Sequence, residues 1–414
     1  MSTGGRAITL LWAALVLLIT ACSGTGRADG AGDDAADFTG SPIKLVVVTS
    51  LTGPITVRPE VAAGAQAAAA AINAGGGVRD PAGGPAHPVE IIVCDDRNDP
   101  NTAMDCAHEA VRVGAVAAVG SFSFTNGAYM PVLSKAGIPS VANYPLSAIE
   151  NADPLSFPMT NWQISNFVPS TIAKSLGKSS LITIGIDTPT LRATSPMIDE
   201  FSESIDMTAA TLYIPPSSKD YAPFAAQAAA ADSALRSALN GTQAALLLQA
   251  LAAQGVDPGD RVIIQVGDVI SQEMIEDGTF DGVYMFASSL PPTDRTNPGV
   301  ARYNDELDRW GDQKTPRNTV GIMSWAGVHI IAQLLDMSSE LTSAELVRQM
   351  RAAGEIHFDP VAPFNWSAPI AASGPLKGTH DYTNKVALTR VVDGEMRPVV
   401  EGFVRFDEVF SPRS

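Results

Sequence analysis

The repeated alternation of short apolar strands and longer helices constrains this chain more than any other feature. Residues Ile43–Val48 form a nearly continuous β-branched run, which is typical of a parallel strand buried on both faces. A turn at Thr52–Pro54 and an Ala-rich helix from about Pro59 to Ile72 follow this run. The same unit of strand and helix repeats as far as Asn143, and it predicts a doubly wound parallel sheet.

The alternation restarts later in the chain and predicts a second sheet of the same kind. The segment Asp232–Asn240 has no clear period, so we assign it neither to a helix nor to a strand. Near the end, Asp393-Gly394 between two apolar runs predicts an antiparallel hairpin. Two α/β halves predict a ligand cleft between two lobes, lined by loops beyond the carboxyl ends of strands. The predicted strands of the second half are Leu181–Ile186, Ala209–Ile214, Arg261–Val266 and Gly282–Ala287.

The N-terminus has the pattern of a secretory leader. Arg6 precedes an apolar run from Ile8 to Ile19, which is too short for a comfortable permanent membrane span. The run ends in Thr20-Ala21-Cys22, which resembles the lipobox of bacterial lipoproteins. This resemblance implies cleavage after residue 21 and a lipid on Cys22, with residues 22–40 as a flexible tether. The alternative is an ordinary signal peptide followed by a chance cysteine.

Charge and motifs narrow the class of function. The chain has 27 Lys and Arg against 44 Asp and Glu, a net charge of −17, which argues against nucleic acid as a partner. It has no G-x-S-x-G, H-E-x-x-H or Walker A motif, and its five histidines are scattered without metal-ligand spacing. We therefore predict a binding protein with no catalytic residue, no metal site and no cofactor.

Two cysteines remain once Cys22 is set aside. Cys94 ends a predicted strand, and Cys106 lies in the helix that begins after Asp99-Pro100. A strand end and the second turn of the next helix can lie within bridging distance, and export permits oxidation. We predict a disulfide between Cys94 and Cys106; the alternative is two buried free thiols.

The segment Gly120–Asn126 is the strongest binding signal. It follows a buried strand and opens a helix, so hydroxyls and free N–H groups there suit an anionic group such as a carboxylate. Plain N-capping by Ser123 or Thr125 explains the same residues. The loop alone does not decide between the two.

Several segments, taken in order, resemble the branched-chain amino-acid receptor family. These are type I periplasmic binding proteins that feed ABC transporters. The similarity runs from about Ile43 to Val404. It rests on the order and spacing of the similar segments, because no single motif is decisive. The segments are Thr52–Pro54, Ala71–Val78, Cys94–Asp96, Gly120–Ser123, Ile138–Tyr144, Lys219–Tyr221, Phe280–Tyr284 and Trp325–Val328.

The resemblance implies two lobes that close on a ligand. Residues 41–158 with 290–355 would form the N-terminal lobe, and residues 159–288 with 360–414 the C-terminal lobe. Three crossovers would lie near Phe157–Thr160, Ala287–Leu290 and Gly354–Pro360. Serines would hold a ligand carboxylate, and acidic residues of the other lobe could face an ammonium group. The implied ligand-binding residues are Ser121, Phe122, Ser123, Ala142, Asn143, Tyr144, Asp187, Thr188 and Asp268.

The resemblance also implies a function. The chain would be an extracytoplasmic lipoprotein, anchored by lipid to the bacterial cell membrane. It would capture an amino acid or a related small carboxylate or amide for an ABC importer, with permease and ATPase subunits as partners. One alternative is the ligand-binding component of an amide or amino-acid sensing system, which predicts signalling genes beside its own instead of permease genes. A second is an exported enzyme such as an amidase, which the lack of a nucleophile–base pair disfavours.

Overall fold

The computed structural model of the protein describes residues 38–53, 57–160, 162–371 and 380–405. The predicted leader, Cys22 and nearly all of the predicted tether lie outside these residues. The predictions of a signal peptide and a lipid anchor are therefore not addressed by the fold.

The first sheet is fully parallel and has the strand order β2-β1-β3-β4-β5. Its strands are β1 Ile43–Thr49, β2 Val89–Asp95, β3 Ala117–Val119, β4 Ser140–Val141 and β5 Ser156–Phe157. Its helices are α1 Pro59–Ala74, α2 Pro100–Val113, α3 Asn126–Lys135 and α4 Ala148–Ala152. The predicted strand–helix alternation is confirmed, while α4 and β5 were not predicted because both are too short to show a period.

The second sheet has the order β14-β13-β10-β9-β8-β6-β7. Its strands are β6 Ser180–Ile186, β7 Thr208–Ile214, β8 Ala234–Ala238, β9 Ile263–Val266, β10 Tyr284–Ala287, β13 Lys385–Val392 and β14 Glu395–Arg405. The helices of this half are α5 Trp162–Ser175, α6 Pro189–Ser204, α7 Ala222–Ala229, α8 Gly241–Ala253 and α9 Gln272–Glu276. Strands β13 and β14 form the predicted antiparallel hairpin, and β13 also pairs antiparallel with β10.

After β10 the chain returns to the core of the first sheet. Helices α10 (Pro298–Trp310), α11 (Thr319–Asp336) and α12 (Ser343–Ala352) contribute to that core, and α11 packs against α1. Helix α11 is long and apolar enough to cross a membrane, but 89% of it is buried in the protein, as expected of a core helix. The short strands β11 (Ile370–Ala371) and β12 (His380–Asp381) then form a separate pair.

Strand β8 occupies the segment that the sequence pattern left unassigned. It lies between β6 and β9, and its residues are largely buried even though Arg236 and Ser237 are among them. Burial lowers the pKa of Arg236 to about 10, and only Asn166 receives a hydrogen bond from its guanidinium, at 3.5 Å, within the described residues. A buried arginine in a central strand breaks the apolar run by which such strands are recognised.

The predicted disulfide is confirmed. Cys94 near the end of β2 is bonded to Cys106 of α2, with the two Cα atoms 5.7 Å apart. Asp99 caps α2 as predicted, because its side chain accepts the N–H of Thr102 at 2.8 Å and Pro100 follows it. By the chain-entropy model, closing so short a loop stabilises the fold by about 2–3 kcal/mol.

Candidate ligand-binding site

The loop after β3 is held against β1 by its own polar groups. Ser121 is fully buried, and its hydroxyl oxygen accepts the N–H of Val48 at 3.1 Å. Gly120 has φ +62°, and a Cβ there would lie 2.6 Å from the Cα of Ser324 in α11. Glycine is therefore required both for the left-handed backbone and for the close approach of α11.

A buried carboxylate accepts hydrogen bonds from three hydroxyl groups, which belong to two loops. Asp96, which follows β2, is fully buried, and its oxygens accept from Ser50, Ser123 and Thr125. Ser123 also accepts the N–H of Thr125 at 3.0 Å, whereas Thr125 makes no capping bond with its own side chain. The structure thus brings Ser121 and Ser123 together at the predicted edge, with both hydroxyls engaged inside the protein.

The loop after β4 carries Ala142, Asn143 and Tyr144, all buried. Ala142 has φ +55°, a left-handed conformation that is uncommon for a residue with a Cβ and that is often found at functional sites. The side-chain nitrogen of Asn143 donates to Ser156 at 3.1 Å. The ring of Tyr144 packs on Phe122 with 5.1 Å between centroids, which joins this loop to the loop after β3.

Two charged residues at the start of α1 lie in the same region. Arg58 precedes the helix, and its guanidinium carbon is 5.0 Å from the ring centroid of Phe122. It donates to Glu60 at 3.3 Å, and Glu60 also accepts from Asn318 of α11 at 2.9 Å. The Nε of Arg58 is buried without a hydrogen-bond partner in the described part of the chain.

Sequence reasoning missed Arg58 and Glu60. Both follow the first strand loop, at the edge where ligands of parallel sheets bind. Pro59 at the first helical position fixes the start of α1, so the charged residues on either side of it could have been placed at this edge.

Asp268 reaches this region from the second sheet. It follows β9, is 7% exposed, and accepts a hydrogen bond from the hydroxyl of Thr319 at the start of α11. Burial raises the pKa of Asp268 to about 6, against the opposing effects of the Thr319 hydrogen bond and the charge of Arg58. Burial, and then the charge of Asp268, also hold the pKa of Tyr144 well above its usual range.

Asp187 and Thr188 have local partners instead. Asp187 forms a bidentate ion pair with Arg192 at 2.6 Å, and this pair lowers the pKa of Asp187. Thr188 caps α6 by accepting the N–H of Leu191 at 3.1 Å. Neither side chain hydrogen-bonds to the loops of the first sheet within the described residues, so their predicted contact with a ligand stays a prediction.

Six residues lie close together where the two sheets meet, and we name this group the junction cluster. It combines one cation, two carboxylates, a phenol, an aliphatic hydroxyl and an aromatic ring, and it can bind a small polar molecule by charge, hydrogen bonds and stacking. The void that Gly267, Ala287 and Thr319 line beside it has a volume of about 10 Å³, room for about one water molecule. Among the described residues, no group of His, Cys, Asp and Glu has the arrangement of a metal site. The members of the junction cluster are Arg58, Glu60, Phe122, Tyr144, Asp268 and Thr319.

Two α/β sheets that meet at their carboxyl edges define the type I periplasmic binding protein fold. The chain belongs to the periplasmic binding protein family, whose model matches residues 42–395. No curated protein sequence matches the chain significantly.

Solved structures share the fold at low sequence identity. An ABC transporter substrate-binding protein of Aeropyrum pernix is 17% identical with a TM-score of 0.72, covering 88% of this chain and 96% of that protein. A leucine-binding protein of Thermotoga maritima is 15% identical with a TM-score of 0.63, covering 88% and 99%. A solute-binding protein of Rhodopseudomonas palustris in complex with p-hydroxybenzoic acid is 17% identical with a TM-score of 0.68, covering 88% and 97%. At these identities the similarity establishes the fold, which the sequence predicted.

Proposed function

We propose that this protein captures an amino acid, or a related small carboxylate or amide, between two lobes and delivers it to an ABC importer. Membership of the periplasmic binding protein family supports the capture of a solute outside the cytoplasm. Structural neighbours named as ABC transporter and leucine-binding proteins support the importer and the amino acid. The nine ligand-binding residues and the lobe boundaries inferred from the sequence are part of this proposal.

The observation that carries the proposal is the presence of opposite charges on the two sides of the junction cluster. Arg58 lies before α1, in the half of the first sheet, and Asp268 follows β9 of the second sheet; both side chains are buried, and the charge of Arg58 acts on Asp268. An α-amino acid has a carboxylate and an ammonium group, so it offers a partner to each. Glu60 adds a second negative charge, which disfavours a purely anionic solute.

A ligand screen tests the proposed function. We expect at least one amino acid to raise the melting temperature of the full chain, because a ligand at a hundred times its dissociation constant adds about 2.7 kcal/mol to the free energy of unfolding. The screen should include amides and simple carboxylates, among them 4-hydroxybenzoate. A response to 4-hydroxybenzoate with none to amino acids would contradict the amino-acid assignment.

We also propose that Cys22 carries a lipid that anchors the protein outside the cytoplasm. Cys22→Ala is expected to move the protein from the membrane fraction to the soluble fraction of the cell envelope or to the medium, because the single acylated residue would be lost. Immunoblots of the fractions measure this, with Ser23→Ala as a control that leaves both Cys22 and the disulfide in place. Persistence of the Cys22→Ala protein in the membrane fraction would contradict the anchor.

A further inference from the structure

The hydroxyl groups of Ser123 and Thr125, in the loop after β3, already donate to a carboxylate of the protein itself. Ser123 donates to Asp96, and Ser50 and Thr125 donate to the same side chain. The oxygen of Ser121 is fixed by the N–H of Val48 at 3.1 Å. A ligand carboxylate at this loop would compete with the buried Asp96 for the hydroxyl groups of Ser123 and Thr125. The acidic end of a ligand therefore needs a different partner.

Arg58 is the cation of the junction cluster and has unused hydrogen-bonding capacity. Its side chain is 11% exposed, and its ion pair with Glu60 uses one terminal nitrogen. Its Nε is buried with no partner among the residues that the structure describes. A buried donor without a partner destabilises the protein, so a bound acceptor would remove that cost. A guanidinium also matches the two oxygens of a carboxylate geometrically.

Tyr144 offers a second donor in the same place. Its ring packs on Phe122, the ring over which the Arg58 guanidinium lies at 5.0 Å. Its hydroxyl is buried beside the hydroxyl of Thr319, which donates its own proton to Asp268, and no other side chain of the described chain makes a well-formed hydrogen bond to it. Phe122 thus lies between two side chains that each have a buried polar atom with unused hydrogen-bonding capacity.

We infer that Arg58 and the Tyr144 hydroxyl bind the carboxylate end of the captured molecule, in place of the serine loop. This inference rests on the proposed function and assigns one end of its ligand. It requires that the acid bind more tightly than its α-carboxamide, which lacks the carboxylate charge. It replaces the part of the proposed assignment in which Ser121 and Ser123 hold the ligand carboxylate, and it leaves these two serines to shape the loop.

The test uses a panel of the twenty protein L-amino acids, each paired with its α-carboxamide, and measures affinity on the full chain. The acid that binds best should lose about 100-fold or more in affinity with Arg58→Met and about 10- to 100-fold with Tyr144→Phe, because each variant removes a hydrogen bond to a charged group. Arg58→Lys keeps the positive charge but lacks the two parallel N–H donors of the guanidinium, so it should lose less affinity than Arg58→Met. The preference for acid over amide should disappear in Arg58→Met.

Matched variants separate binding from folding. Arg309→Met removes an exposed arginine that also stacks on an aromatic ring, Trp310, at 4.6 Å and should leave the affinity unchanged. Tyr144→Phe removes one atom, so it tests the inference even where Arg58→Met lowers the melting temperature. Wild-type affinity in both Arg58→Met and Tyr144→Phe would overturn the inference and leave the proposed function intact. So would a loss confined to Ser121→Ala or Ser123→Ala. A wild-type protein that binds no member of the panel would overturn the amino-acid function, and the inference with it.

Discussion

Gly64→Ala is expected to destabilise the protein by about 1–3 kcal/mol, and Gly64→Val to prevent native folding. Gly64 lies in α1, where a Cβ would be 2.3 Å from the carbonyl oxygen of Gly321 in α11. Both contacting groups belong to helix backbones in the core, so neither can move without displacing its helix. Chemical denaturation of the two variants measures the change in the free energy of unfolding.

A second helical glycine provides the control. A Cβ at Gly127 of α3 would meet the hydroxyl of Ser147 at 3.4 Å, an ordinary contact. Gly127→Ala should therefore be neutral or stabilise the protein by up to about 1 kcal/mol through helix propensity. If Gly64→Ala were as stable as Gly127→Ala, the close approach of α1 and α11 would be wrong.

The same helix contact positions the junction cluster. Arg58 and Glu60 lie at the start of α1, while Asn318 and Thr319 lie at the start of α11. The hydrogen bond between Glu60 and Asn318 joins the two helix starts at 2.9 Å. We therefore expect Gly64→Ala to weaken ligand binding as well as folding, because it separates the groups that form one side of the site.

The stability of the wild-type protein is expected to fall as the pH rises from about 5 to about 8, and Glu150→Gln should remove much of this dependence. Burial raises the pKa of Glu150 to about 8, although the side chains of Asn143, Ser140, Asn126 and Tyr129 favour its charged form. Below that pH the folded protein keeps a proton that the unfolded chain releases above about pH 4.5. The stability that this proton contributes is present at low pH and is lost as the pH passes through the folded-state value.

Glu150→Gln suits this test because the amide can keep the local contacts. Its oxygen can accept from Asn126 and its nitrogen can donate to Ser140, in the places of the two carboxylate oxygens. The variant should match the wild type near pH 5 and exceed its unfolding free energy by several kcal/mol at pH 9. Urea denaturation between pH 6.5 and 9 isolates Glu150, because Asp268, with a pKa of about 6, is largely ionised there.

Glu345 provides a control, because its charge affects the pH dependence of stability with the opposite sign. Its pKa is lowered to about 2, chiefly by Arg348, so its charge stabilises the folded state above the usual carboxyl range and that stability is lost in acid. Glu345→Gln should lower stability about equally at pH 6.5 and pH 9. A pH dependence that survives Glu150→Gln unchanged would show that Glu150 is ionised in the folded protein at neutral pH.

The sequence determined the elements whose signals are local. The β-branched run of β1, the Asp99-Pro100 start of α2 and the Asp393-Gly394 turn each depend on neighbouring residues, and the structure has all three. The disulfide was also predictable, because Cys94 and Cys106 lie on a strand and the helix directly after it. Strand β8 was not predictable, because an arginine in a short segment indicates a surface position. Arg236 is buried only because distant parts of the chain pack against it.

Only the tertiary structure decided which polar groups are free to bind a ligand. The sequence placed Ser123 at the correct edge, but Asp96 from another loop accepts its hydroxyl. It gave no reason to join Arg58 to Asp268, because these residues follow strands of different sheets and meet only where the sheets meet. A residue type and its place on a strand are local properties, whereas a hydrogen-bond partner and the burial of a charge depend on segments that folding brings together.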